Sequence, residues 1–226
     1  DNGGVMQYLS LALYAEGPTD YRFLSPVLQR LCQDICLEEA RGHVDIPEAI
    51  LPLDDTEDMK QAPRAERILA AARQTAGAWR ILFIHADGDK NPEKAQTERV
   101  DPALRLLQQH LPEAGTGVGV VPVRETESWI LADGNAIRST LGTLLTDQAL
   151  GLPSPGRIEQ EGAPKEILTR VFNTGKPGAR TRGQSETMYF QALGECISLA
   201  ALRQLRSFMH LEENLREALR TLQIIK

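Results

Sequence analysis

The chain has 226 residues, 42% of them apolar and 25% charged, which suits a soluble globular fold with enough material for a core. Its net charge of −6 argues against a general nucleic-acid coat, and no apolar run approaches the roughly 20 residues of a membrane helix. Three cysteines with no Cys-x-x-Cys pair rule out a disulfide framework. The opening residues lack the charged and apolar regions of a signal peptide, so a cytoplasmic protein without membrane contact is expected.

In chain order, Leu9–Tyr14 is an apolar run that reads as a buried parallel strand within residues 8–15. A helix is expected from Thr19, as its N-cap, to Ile35, kinked or divided at Pro26. Val44–Pro47 and Ala49–Leu53 are Pro-broken candidates for an edge strand, and a helix from Thr56 to Thr75 follows. Residues 80–86 give the strongest strand signal, followed by a helix over Pro92–His110 and a further strand over residues 117–123. Strands alternating with helices predict an α/β, Rossmann-like domain with a mainly parallel sheet flanked by helices. Past Asp133 the pattern becomes short helices broken by Gly/Pro stretches, then a helical end over Ser198–Ile225. The expected division is a domain over residues 8–135 and an α-helical extension over residues 136–226.

Charge divides in the same way. Residues 1–150 hold 14 Lys/Arg against 23 Asp/Glu, a balance of −9, whereas residues 151–226 hold 11 against 8, a balance of +3. An acidic half joined to a mildly basic half fits polyanion binding through the second half, and fits an uneven solvated surface equally well.

Two acidic clusters follow the strongest strands: Glu16-Gly17-Pro18-Thr19-Asp20 and Asp87-Gly88-Asp89. Ligands of open α/β sheets bind outside the carboxyl ends of the strands. Carboxylates gathered there repel one another unless a cation sits among them, and hard oxygen ligands suit Mg²⁺ or Mn²⁺. Each position also has a plainer reading. Glu16 reads equally as a turn residue, Asp20 as a charge on the first turn of a helix, and His85 as a packed strand-end residue. Asp87, Asp89, Asn91 and Glu98 have an EF-hand spacing, but Pro92 stands where that loop needs glycine. Trp79 and Trp129 read as core anchors, and Cys32 and Cys36 as reduced packing thiols. Lys176, Arg180 and Arg182 lie in a Gly/Pro loop where they would meet phosphates or simply be solvated.

Glu16–Asp20, then Asp87-Gly88-Asp89, then Glu127 past a further strand resemble the TOPRIM fold of topoisomerases, primases and OLD-class nucleases. The resemblance covers residues 8–135. It is closer to a group of small bacterial TOPRIM-like proteins, which Glu127–Asp133, Pro164-Lys165-Glu166 and Tyr189-Phe190 also resemble. The resemblance implies Glu16 as general acid/base or metal ligand, and Asp87 and Asp89 as Mg²⁺ ligands. Asp20 and Glu127 would complete a second site, with Glu125 the competitor of Glu127. OLD nucleases carry a further lysine, for which Lys165 is the nearest match; a surface lysine opening a helix is the plainer reading.

The expected activity is hydrolysis of nucleic-acid phosphodiesters by a Mg²⁺- or Mn²⁺-dependent nuclease, with DNA favoured over RNA. Resemblance alone suggests an effector of anti-phage defence. No Gly-x-x-x-x-Gly-Lys-Ser/Thr motif is present, so ATP control would need a separate ATPase subunit. An oligomer is compatible with the sequence. The alternatives are a non-catalytic TOPRIM-like module that recruits a partner and a different phosphotransfer activity.

Overall fold

The computed structural model describes residues 6–176 and 187–226. Its strands are β1 (Gln7–Tyr8), β2 (Leu11–Tyr14), β3 (Val44–Asp45), β4 (Leu51–Pro52), β5 (Ile81–His85) and β6 (Thr116–Val120). The main sheet has the order β4-β2-β5-β6 with every pair parallel, and β1 pairs with β3 beside it. In the register of β2 on β5, Leu11 faces Ile81 and Tyr14 faces Ile84. Strand order reverses between β2 and β5, which makes the crevice at their carboxyl ends the topological switch point where open α/β sheets bind ligands.

Side chains alternate along each strand and divide the core into two layers. Leu11, Leu13, Ile81, Phe83, Val118 and Val120 bury one face, while Ala12, Tyr14, Leu82 and Ile84 bury the other. The first face is covered by α1 (Pro18–Glu39), the second by α2 (Arg64–Gln74) and α4 (Asp101–His110). Each large side chain so buried contributes about 1.5–3 kcal/mol. The α/β expectation holds, with parallel strands flanked by helices.

Local punctuation differs from the sequence reading at several places. Gly17, not Thr19, caps α1, because Pro18 occupies the first helical turn and needs no N–H partner there. Pro26 lies inside α1 without dividing it. At that level Gly194, in α9 (Thr187–Cys196), approaches so closely that a Cβ would overlap the Phe23 carbonyl oxygen, and Arg30 donates to the Gly194 carbonyl at 3.0 Å. Pro63 stops a helix from running through from Thr56. A 3₁₀ turn at Glu57–Met59 precedes α2 instead.

The helix expected over Pro92–His110 is α3 (Pro92–Ala95), a π turn over Gln96–Val100, and then α4. Pro102 has no N–H to continue an α-helical ladder, and the Asp101 N–H reaches back five residues to the Gln96 carbonyl.

After β6 come α5 (Glu127–Ile130), α6 (Gly134–Leu141), α7 (Asp147–Leu150), α8 (Pro164–Gly175), α9, α10 (Leu199–Leu202) and α11 (Arg206–Thr221). The boundary expected near residue 135 falls inside one apolar cluster, which runs from Leu9 through Trp129, Phe172 and Phe208 to Ile225. Trp129 meets Phe208 edge-on at 5.1 Å and donates to Ser207 at 2.9 Å. Arg203 and Arg216 share the buried Glu212 and reach Asp34 and Glu39 of α1, tying the chain end to the first helix. Among the described residues no helix is long and apolar enough to cross a membrane. Cys32 and Cys36 are buried and unpaired, and burial pushes both thiols up.

Candidate metal centre

The switch-point crevice collects side chains from both strand exits. β5 ends at His85, which is fully buried, and the chain then turns through Asp87. β2 ends at Tyr14, and the Gly17–Pro18 start of α1 brings Asp20 back over the sheet edge. Asp20, His85 and Asp87 each offer a ligand atom, all within 4.8 Å of one another, and the group could hold a metal ion.

Hydrogen bonding orders this cluster. The Glu16 N–H donates to His85 Nδ1 at 3.4 Å, which assigns the ring hydrogen to Nε2. Nε2 faces Asp87 Oδ1 at 3.4 Å and Thr126 Oγ1 at 3.3 Å. Carboxylate oxygens are therefore the first donors to a cation, with the His85 ring held by Thr126 and packed against Asp87. Asp87 Oδ1 is buried, and its 3.4 Å approach to His85 Nε2 makes no hydrogen bond. An unsatisfied buried carboxylate oxygen is costly, and a cation would satisfy it. Burial pushes the Asp20 carboxyl up, against the opposing effects of His85 and Thr126, with Asp87 and Glu16 adding to the rise.

Glu16 stands apart from the expected role. One oxygen is held by Arg99 and by Arg64, the latter at 3.3 Å, and the other accepts the Asp87 N–H at 3.5 Å. It lies against the cluster but is neutralised by arginines. Asp89 is a clearer correction. Its side chain is 79% exposed, its backbone is left-handed at φ 47°, and its carboxylate meets Arg99 at 3.5 Å instead of joining Asp87. In the Asp-Gly-Asp turn, only the first carboxylate faces inward.

Glu127 is 8% exposed at the start of α5, outside the three-residue group. Burial pushes its carboxyl up to about 7, and the charges of Glu125 and Asp20 add to this while Lys165 opposes it. The geometry separates Glu127 from Glu125, because Glu125 accepts the Lys165 N–H at 2.9 Å and so caps the beginning of α8. Lys165 is exposed beside them. Lys176 is exposed with its ammonium 5.5 Å from the Tyr189 ring centroid, away from any acidic-site contact among the described residues. Arg180 and Arg182 lie outside the described residues.

Arg64 and Arg99 are the site residues the sequence reading missed. Arg64 also donates to the carbonyls of His85 (2.6 Å) and Arg99 (3.2 Å), and Arg99 to that of Asp87 (3.2 Å). Burial lowers the Arg64 guanidinium, with Glu16 opposing. Arg99 owes its position to the π turn, which was hinted at only by Pro102.

A family model described as a domain of unknown function, DUF4276, matches residues 15–216. The chain belongs to that family. No curated protein and no solved structure matches it. The DUF4276 match spans the whole constellation, from Glu16 through Asp20, Arg64, His85, Asp87, Arg99 and Glu127 to Lys165.

Proposed function

We propose that the protein is a Mg²⁺- or Mn²⁺-dependent hydrolase of nucleic-acid phosphodiesters, with the resemblance to TOPRIM and OLD-class nucleases as the prior and the switch-point crevice as its site. The observation that carries this reading is Asp87 Oδ1, buried without a partner beside Asp20 and His85. Asp20 and Asp87 would hold the ion through oxygens, a donor set that suits either cation. When bound, such an ion activates water and stabilises charge on the phosphoryl and leaving oxygens. The protein's own groups do the rest. Thr126 holds the His85 ring beside the Asp87 carboxylate, and Glu127, whose carboxyl burial pushes up to about 7, can take a proton from water or return one to a leaving oxygen. Arg64 and Arg99 place positive charge where a phosphate would approach.

The pinning of Glu16 by two arginines favours a second reading, a non-catalytic module that binds a metal and a partner. Cleavage of plasmid DNA and of RNA in Mg²⁺ and Mn²⁺, by wild type and by Asp87→Asn, separates the two. Metal-dependent cleavage that drops at least about 100-fold in Asp87→Asn is the expected result; removing one group that stabilises charge in a transition state has effects of this order. Cleavage equal in both proteins would sink the assignment of Asp87. Metal binding with no cleavage of either polymer would select the binding module.

A further inference from the structure

Beside the acidic crevice, between the β5–α3 and β6–α5 connections, lies a cavity of about 550 Å³ with the opposite charge. Lys90, Lys94, Arg99 and Arg124 line it, with Asp89 and Glu98. Lys94 leans towards Glu98 at 3.9 Å, and Arg99 is engaged by Glu16 and Asp89. Lys90 and Arg124 have no ion-pair partner among the described residues. A concentration of cations in a chain of net charge −6 calls for an anion.

The backbone under this cavity is held in place against its own preference. Arg124 has φ 67° and Asp89 φ 47°, both left-handed, a region that glycine occupies freely and aspartate tolerates but arginine disfavours. The Asp89 N–H donates to the Arg124 carbonyl at 2.8 Å, and the Gly88 N–H to the Pro122 carbonyl at 3.1 Å, so the two loops are clamped past the end of the sheet. Gly88 is needed for that approach, since a Cβ there would overlap the Pro122 carbonyl oxygen. Strain kept at an arginine, where glycine would relieve it, points to a job for the side chain.

We propose that Lys90 and Arg124, with Arg99 on the wall shared with the acidic crevice, bind two successive backbone phosphates of the nucleic acid next to the one that is hydrolysed. The identity of the ligand rests on the nuclease reading; the cavity's affinity for phosphate does not depend on the metal. Two unpaired cations suit one such phosphate and its neighbour, and the guanidinium of Arg124 offers the planar, two-pronged donor that phosphate oxygens accept.

The test is binding of a short fluorescein-labelled DNA duplex in EDTA across a salt series, followed by anisotropy. The double variant Lys90→Ala/Arg124→Gly should bind at least about tenfold more weakly, and its log–log salt slope should be shallower by about 2, one for each phosphate contact removed. Glycine relieves the positive φ, so the variant keeps its fold, and Arg124→Lys alone should retain most of the binding lost in Arg124→Gly. Arg80→Ala, which removes a cation from the amino end of β5 on the opposite edge of the sheet, should leave the slope unchanged. An unchanged slope in the double variant would overturn the proposal, and so would an equal effect from Arg80→Ala. Inorganic phosphate is the second probe. Phosphate that binds wild type through Lys90 and Arg124, with duplex binding indifferent to both, would also overturn it in favour of a free-phosphate site. Binding lost in the double variant by a protein that cleaves nothing would keep the cavity and defeat the hydrolase reading alone.

Discussion

Replacing Glu127 by glutamine tests the electrostatics of the crevice without touching its shape. The residue is 8% exposed, and burial lifts its carboxyl from 4.5 to about 7. Between these values the folded chain keeps a proton that the unfolded chain has released. Folding stability therefore falls as pH rises from 4.5 to about 7, and the penalty is complete above that. At about 1.4 kcal/mol for each tenfold difference, the gap is worth about 3 kcal/mol. Below about 4.5 both states are protonated and the penalty vanishes. Glu127→Gln removes the titration while keeping the shape and losing about 1 kcal/mol of hydrogen bonding. In EDTA at pH 8 the variant should exceed wild type by about 2–3 kcal/mol, and near pH 4.5 it should equal or fall slightly below it. Urea unfolding by circular dichroism at a series of pH values gives the difference directly. A difference that stays flat from pH 4.5 to 8 would show that Glu127 ionises freely and that the crevice is wetter than its burial implies. Saturating Mn²⁺ at pH 8 should narrow the gap, because a cation beside the carboxylates offsets their desolvation.

Arg99→Ala should cost about 1–2 kcal/mol of stability, since Glu16 keeps only the Arg64 ion pair and the Asp87 N–H, and should tighten Mn²⁺ binding several-fold by loosening a carboxylate. Calorimetric titration showing unchanged or weaker Mn²⁺ affinity would mean that Glu16 takes no part in the metal's surroundings. Gly194→Ala would gain about 1 kcal/mol in an isolated helix, but here the Cβ overlap with Phe23 should turn that into a net loss of about 1–3 kcal/mol. A higher urea midpoint in this variant would show that α1 and α9 can separate without loss.

Much of the scaffold was readable because burial on both faces leaves a continuous apolar run. Leu11–Tyr14 and Ile81–His85 stand out for that reason, and the acidic turns after them locate the crevice. What the runs could not convey was which carboxylate would turn inward. Asp87 and Asp89 differ in the structure through a left-handed φ at Asp89 and its bridge to Arg124, a partner 35 residues away that no local pattern ties to Asp89. The arginines on Glu16 were hidden in the same way. They sit on α2 and on the π turn, and an exposed-looking arginine on an amphipathic helix gives no sign that it will reach across to a strand end. Thr19 was favoured as a cap by its hydroxyl, but Pro18 pre-sets the helical φ one residue earlier, and the choice passed to Gly17. The helical second half was legible as helices. Its merging into the same apolar cluster as the sheet was not, because that depends on where Trp129 and Phe208 meet.

The π turn at Gln96–Val100 also limits how this helix can vary in length. Its extra residue lets two faces of one helical segment be satisfied together: Arg99 reaches the acidic crevice, while Val100, Ala103 and Leu107 bury against the sheet. A regular helix turns about 100° per residue, so losing one residue here would rotate everything downstream by that amount relative to everything upstream. Either the apolar stripe would turn to water or the guanidinium would leave Glu16. A deletion that made the helix more regular would therefore disconnect the crevice from the fold that supports it.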